Sequence, residues 1–268
     1  MLDARLARCW RVALFPIMAL LVAGCASDSK DEFAGRSAEK LYAEAKADAD
    51  SGSYERAIKA LERVEGLGAG TLLAQQSQLE LAYLYWKTSE KAQALTTIER
   101  FIKYNPSSPA LDYALYLRAL INFNDNLGLM GTLAGQDIAE RDQRAMRDAH
   151  QSFKQLIEQF PGSRYAPDAR VRMDYIVNTL AAYEVHVARY YFDRGAYVAA
   201  ANRAQQAVTE FQQAPALEEA LHIMVRSYDK LQLLPLRDSA ARVLKQNFPD
   251  SPYVTGVTST AKPWWRFW

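Results

Sequence analysis

Two cysteines in 268 residues, Cys9 and Cys25, are too few for a disulfide framework, so packing alone must hold the fold together. Charge of one sign is also missing. Lysine and arginine number 32 against 31 acidic residues, a formal +1. A chain this close to neutral lacks the basic surface that phosphate binding needs, which argues against nucleic acid as a partner. The longest apolar run, Val12 to Ala23, is about a dozen residues, short of the roughly 20 that span a bilayer. Nowhere do apolar and polar residues alternate for long, so strands are not expected. Histidine is sparse: His150, His186 and His222 stand singly, each more readily an equivalent surface position than part of a shared metal site. There is no His-Glu-x-x-His, no Ser or Cys nucleophile beside a visible base, and no Gly loop followed by Lys. Gly128, Gly131 and Gly135 lack the strand-to-helix setting of a nucleotide fingerprint. No catalytic residue, metal or cofactor is expected, and the chain does not read as an enzyme.

What is present begins at the amino terminus. Arg5, Arg8 and Arg11 precede the short apolar run, which ends on Leu21-Val22-Ala23-Gly24-Cys25. A charged head, an apolar middle and a small-residue exit make residues 1–24 a secretory signal. The Gly-Cys ending resembles the bacterial lipobox. That resemblance implies an S-diacylglycerol and an N-acyl group on Cys25, which becomes the first mature residue. Two or more chains hold a protein stably at a membrane. Ala26, where inner-membrane retention resembles an Asp, implies the periplasmic face of the outer membrane of a Gram-negative bacterium. Loss of Arg5, Arg8, Arg11 and Asp3 with the signal turns the formal +1 into −1.

Residues 25–36 are small and polar and read as a flexible tether. From Ser37 to Phe248, Ala, Leu, Gln, Arg and Glu dominate and apolar residues recur at three and four, the helical period. The joints between helices repeat. Asp50-Ser51-Gly52-Ser53-Tyr54 matches Asp193-Arg194-Gly195-Ala196-Tyr197, with Ala57 and Ala200 following in register. Asn105-Pro106-Ser107-Ser108, Phe160-Pro161-Gly162-Ser163 and Phe248-Pro249-Asp250-Ser251 each put Pro after a helix end and Ser where it can cap the next helix.

These pairs resemble tetratricopeptide (TPR) repeats. Leu81, Ala82 and Tyr85 lead to Ala94, Ile98, Phe101 and Pro106 at that family's separations. Val187, Ala188 and Tyr191 lead to Gly195, Tyr197, Ala200 and Ala204; Leu221 and Tyr228 lead to Ala241, Leu244 and Pro249. Ala149, Phe153, Leu156 and Pro161 close a further unit, and Leu41, Ala45, Ala57 and Leu61 open the series. The expected fold is all-α, a TPR-like helical solenoid of about five helix-turn-helix repeats. Two features depart from it: a Gly-rich loop at about 125–142, and a helix from about Pro167 to Asp193, twice the usual length. The expected division is an N-terminal block of three units, 37–164, and a C-terminal block of two, 165–253.

The lipobox, five units, interrupting loop and over-long helix together resemble the D-lipoprotein family of the outer-membrane β-barrel assembly machinery. Ile102-Lys103-Tyr104-Asn105-Pro106, Asp112-Tyr113-Ala114-Leu115-Tyr116-Leu117-Arg118 and Leu180-Ala181-Ala182-Tyr183-Glu184-Val185-His186-Val187-Ala188-Arg189-Tyr190-Tyr191 carry the resemblance. It covers about residues 20 to 253; Gln143 stands where the family pattern has Pro. The resemblance implies a non-enzymatic role: docking on the barrel-forming subunit, beside other lipoproteins, and receiving the C-terminal segments of unfolded outer-membrane proteins. It places a docking arginine at Arg203, with Arg194 as a weaker companion that can equally be a helix-end charge. Tyr42, Tyr83, Tyr113 and Tyr116 stand as groove aromatics for an extended apolar segment, or alternatively as inter-repeat core. Arg141, Arg144 and Arg147 make either a solvated face or a site for an acidic partner. A TPR lipoprotein that pilots a secretin or pilus component is the alternative reading of the whole chain, though an unbroken repeat period would suit it better.

The last segment, 254–268, reads as a flexible tail that ends Lys262-Pro263-Trp264-Trp265-Arg266-Phe267-Trp268. Three Trp, one Phe and two cations suit an interfacial membrane anchor, a ligand for a partner groove, or a free end.

Overall fold

A computed structural model describes residues 32–123 and 143–256. Cys25, the expected lipidation site, the loop at 125–142 and the last dozen residues of the tail lie outside them. Among the described residues the chain is all-α. The helices are α1 (Ala38–Asp50), α2 (Tyr54–Leu67), α3 (Leu72–Lys87), α4 (Lys91–Tyr104), α5 (Leu111–Asn122) and α6 (Gln143–Gln159). They continue as α7 (Ala166–Asp193), α8 (Tyr197–Glu210), α9 (Leu217–Lys230), α10 (Leu234–Asn247) and the single turn α11 (Pro252–Thr255). No described helix is long and apolar enough to cross a membrane.

The chain divides into two compact units, Met1–Ser77 and Gln78–Trp268. In the first, α1 and α2 form an antiparallel pair closed on Leu41, Ala45, Ala57, Leu61 and Val64, all 2% exposed or less. Alanine at 45 and 57 lets the two backbones approach, and the leucines fill the space beside them. Ser37 caps α1 by accepting the Lys40 N–H, as expected for Ser directly ahead of an Ala-rich helix.

In the second unit consecutive helices pack on one another from α4 to α10, so that α5 meets α6, α6 meets α7, and α8 lies between α7 and α9. Most repeat positions are buried: Ala94, Ile98, Phe101, Ala149, Phe153, Leu156, Ala188, Ala200 and Ala204 are wholly enclosed, while Tyr85, Val187, Tyr191, Tyr197 and Tyr228 are half-buried. One register differs. Ala240, not Ala241, is the buried alanine of α10.

The glycine joints bear out their sequence pattern and extend it, and the proline joints do so in part. Gly52 and Gly195 have φ of 84° and 76°, in the left-handed region that favours glycine. At each, the glycine N–H bonds the carbonyl three residues back and the next N–H bonds one five back (Ser53 to Asp48, Ala196 to Tyr191). Ser89 and Gln232 make the same two bonds at φ of 67° and 58°, without glycine. At the proline joints Ser108, Ser163 and Ser251 each accept the N–H two residues on, from Ala110, Tyr165 and Tyr253, but only Ser251 is the cap of its helix; Ala110 and Tyr165 take the cap positions of α5 and α7, without a side-chain cap bond. Ser251 starts only the four residues of α11.

The long helix is present. α7 runs 28 residues, about 42 Å at 1.5 Å per residue. It packs on α6, α8 and α9. Gln143, in place of the expected Pro, is helical and is the first described residue of α6.

Candidate partner-binding site

α7 buries a stripe of Ala, Ile, Leu, Val and Phe, and one carboxylate among them. Glu184 is 2% exposed, at the centre of Leu180, Ala181, Val185 and Ala188. A buried carboxylate needs charged or hydrogen-bonding partners. Two arginines from the flanking helices supply them. The Arg203 Nη1 on α8 donates to Glu184 Oε2 at 3.0 Å, and the Arg147 Nη2 on α6 lies 3.6 Å from Oε1. Arg147 also reaches Glu210 Oε2 at 3.3 Å and lies over the Phe211 ring. Both arginines keep about two-fifths of their side chains in solvent (39% for Arg203, 45% for Arg147). A guanidinium has five N–H donors in a flat fork. Arg203 is thus oriented from below by a fixed carboxylate while its outer side meets water, an arrangement suited to pairing with a carboxylate on another molecule.

Beside this network a cleft of about 310 Å³ opens between α6, α7 and α8. Val177, Leu180 and Phe211 make its apolar part; Arg147, His150, Gln151 and Glu210 are its polar lining. Burial lowers the pKa of His150, and the nearby Lys154 and Arg147 lower it further.

Arg194, by contrast, caps the C-terminal end of α7, exposed, with its guanidinium 5.2 Å from the centre of the Tyr190 ring. It and Arg203 belong to different surroundings, and Arg147 is the arginine that shares the carboxylate with Arg203. Arg147 belongs to the Arg141, Arg144, Arg147 series, but two carboxylates of this chain already face it.

The tyrosines divide. Tyr42 is half-buried on α1, in the first unit. In the second, Tyr83 packs against the Ile98–Phe101 core with its ring 5.9 Å from Trp86. Tyr113 and Tyr116, one turn apart on α5, both meet Tyr165 in the turn before α7, at 5.6 Å and 4.8 Å between centres; Tyr116 stacks nearly parallel to it. The Tyr116 hydroxyl donates to Asp168 Oδ2 at 2.7 Å. Burial, then that bond, pushes its pKa up to about 12; burial raises Tyr113 as well. These rings are half core and half surface, joining α5 to α7.

The histidines sit on α6, α7 and α9, and no group of three metal-binding side chains occurs among the described residues. Sequence reasoning alone misses Glu184, although a signal for it exists. At three and four residues from Glu184 on the helix stand Leu180, Ala181 and Ala188, an apolar stripe that carries residue 184 inward.

Helix pairs stacked in series, with recurring joints and small-residue contacts, define an all-α, TPR-like helical repeat protein. The model of the outer membrane lipoprotein family matches residues 35–243. Outer membrane protein assembly factor BamD of Neisseria meningitidis serogroup A is 46% identical over 233 residues, 87% of either chain. BamD of Haemophilus influenzae is 33% identical over 236 residues, 88% of this chain and 89% of that one. The chain belongs to this family of outer membrane lipoproteins, the BamD assembly factors. Among solved structures it is similar to MamA, at 13% identity and a TM-score of 0.38 over 84% of this chain and 98% of that one. It is also similar to the TPR-like repeats of a putative kinesin light chain, with a TM-score of 0.35, 17% identity, and coverage of 80% and 96%.

Proposed function

We propose that this outer membrane protein assembly factor is a non-enzymatic scaffold, lipid-anchored through Cys25 on the periplasmic face of the outer membrane. It docks on the barrel-forming subunit of the assembly machinery, beside other lipoproteins, and receives C-terminal segments of unfolded barrel precursors. Arg203 is the docking residue and pairs with a carboxylate of the barrel-forming subunit; Arg194 is its weaker companion. Tyr42, Tyr83, Tyr113 and Tyr116 supply the aromatic surface for the precursor segment. What carries the reading is the 46% identity over 87% of both chains to a named assembly factor. The half-exposed Arg203, held from below by Glu184, supports the docking assignment in particular.

A tag on this chain tests it by co-purification. A large β-barrel protein with periplasmic domains is expected in the eluate, and recovery of a secretin alone would overturn the reading. Arg203→Glu is expected to weaken that recovery at least tenfold, since it sets two carboxylates against each other across a contact. Unaltered recovery removes Arg203 from the interface.

A further inference from the structure

In a helical repeat each pair covers the apolar face of the one before it, so the last pair must end in a polar face or be capped. α10 does neither. It buries only Ala240 and Leu244, whereas α8, the second helix of the preceding pair, buries four alanines. Leu233, Leu234, Leu236 and Val243 are 43, 43, 49 and 40% exposed, four of the twelve large apolar residues exposed among those described. Leu236 and Val243 are two turns apart on one flank of the Ala240–Leu244 stripe, and Leu233 and Leu234 close the N-terminal end. Clustered exposed apolar surface of this kind marks a place where something binds.

We propose that the chain's own C-terminal segment, residues 262–268, folds back along α10 and covers this face. Two observations select that occupant. The first is chemistry. Trp264, Trp265, Phe267 and Trp268 fall within the last five residues and are the densest aromatic group in the sequence. The second is reach. The Tyr253 ring stacks on His222 at 4.1 Å, holding the start of the segment against α9, and Gly256 turns the chain with φ of 69°. From Asn247 back to Leu236 is about 17 Å of helix. From Gly256 to Trp264 is up to about 27 Å of extended chain. The segment therefore reaches Leu236 and Leu234 when it runs antiparallel to α10.

Tryptophan emission tests this on the mature chain. Trp10 leaves with the signal, so Trp86→Phe makes the three tail indoles the sole reporters. Without membranes, the emission is expected to be blue-shifted and severalfold protected from acrylamide, at all protein concentrations. Leu236→Asp with Val243→Asp is expected to move it to that of solvated indole. Helical circular dichroism should be unchanged, because both positions already face solvent. Vesicles of phosphatidylethanolamine and phosphatidylglycerol form the second arm. Emission that turns blue only with vesicles makes the segment a membrane-interface element and overturns the proposal. So does solvated emission under every condition, indifference to the paired aspartates, or a blue shift that fades on dilution and so comes from a second copy.

Discussion

Glu184 ties three helices of the second unit together through charge. One carboxylate, 2% exposed, is shared by arginines from the helices on either side of α7. A fully buried pair that loses one partner is destabilised by roughly 3–5 kcal/mol. Here Arg147 and Arg203 are about two-fifths exposed and can rehydrate, which lowers the cost. Glu184→Gln keeps the shape and removes the charge. It is expected to cost about 1–2 kcal/mol, toward the lower end of the roughly 1.5–3 kcal/mol of a hydrogen bond to a charged group because both arginines are part exposed, read as a lower urea midpoint. A midpoint equal to the parent's would mean that the pairing contributes nothing net. The same change frees Arg203 from its support, so weaker co-purification of the barrel subunit is expected alongside it. The tyrosines show why residue type alone leaves two readings open. Tyr113 and Tyr116 are one turn apart, yet only contact with Tyr165 and Asp168 shows how much of each ring is core.

The helices are separated by two kinds of joint, and one of them is half hidden in the sequence. Gly52 and Gly195 announce themselves there; Ser89 and Gln232 occupy the same place in two later joints with the same hydrogen bonds. A left-handed backbone costs a non-glycine residue about 1–2 kcal/mol. Nothing lies within 4 Å of a Cβ built at Gly195, so Gly195→Ala should show that conformational cost alone. A loss of about 1–2 kcal/mol in urea unfolding is expected. Gln232→Gly should go the other way, by roughly 0.5–1 kcal/mol, because glycine's greater freedom in the unfolded chain offsets part of the relief. The Gln232 side chain donates to the Asp229 carbonyl, and an unchanged midpoint would show that this bond already compensates the backbone. Proline-joint serines are legible because their bond is local: each reaches an N–H only two residues away.

At the scale of the whole molecule, the proposed anchor and the proposed docking surface are two attachments of one chain. Tethered binding raises effective concentration without adding contacts. With Cys25→Ala behind a signal that is still cleaved, the protein is expected to stay periplasmic and to co-purify with the barrel subunit in reduced amount. Fractionation and tagged recovery measure the two outcomes separately. Complete loss of the complex would show that docking depends on the anchor.

The amino-acid sequence by itself determined the helical class, the joints, the length of α7 and the chemistry expected at Cys25. Each depends on residues within a turn or two of one another, where spacing and side-chain type suffice. Only the tertiary structure decided that Arg203 meets Glu184, 19 residues away in sequence. It also decided that Arg147 shares this carboxylate, that Tyr116 reaches Asp168 across 52 residues, and that α10 is left with leucines in solvent. Those outcomes depend on how neighbouring helices pack, and a period read along one helix does not specify which side chains of the next will face it.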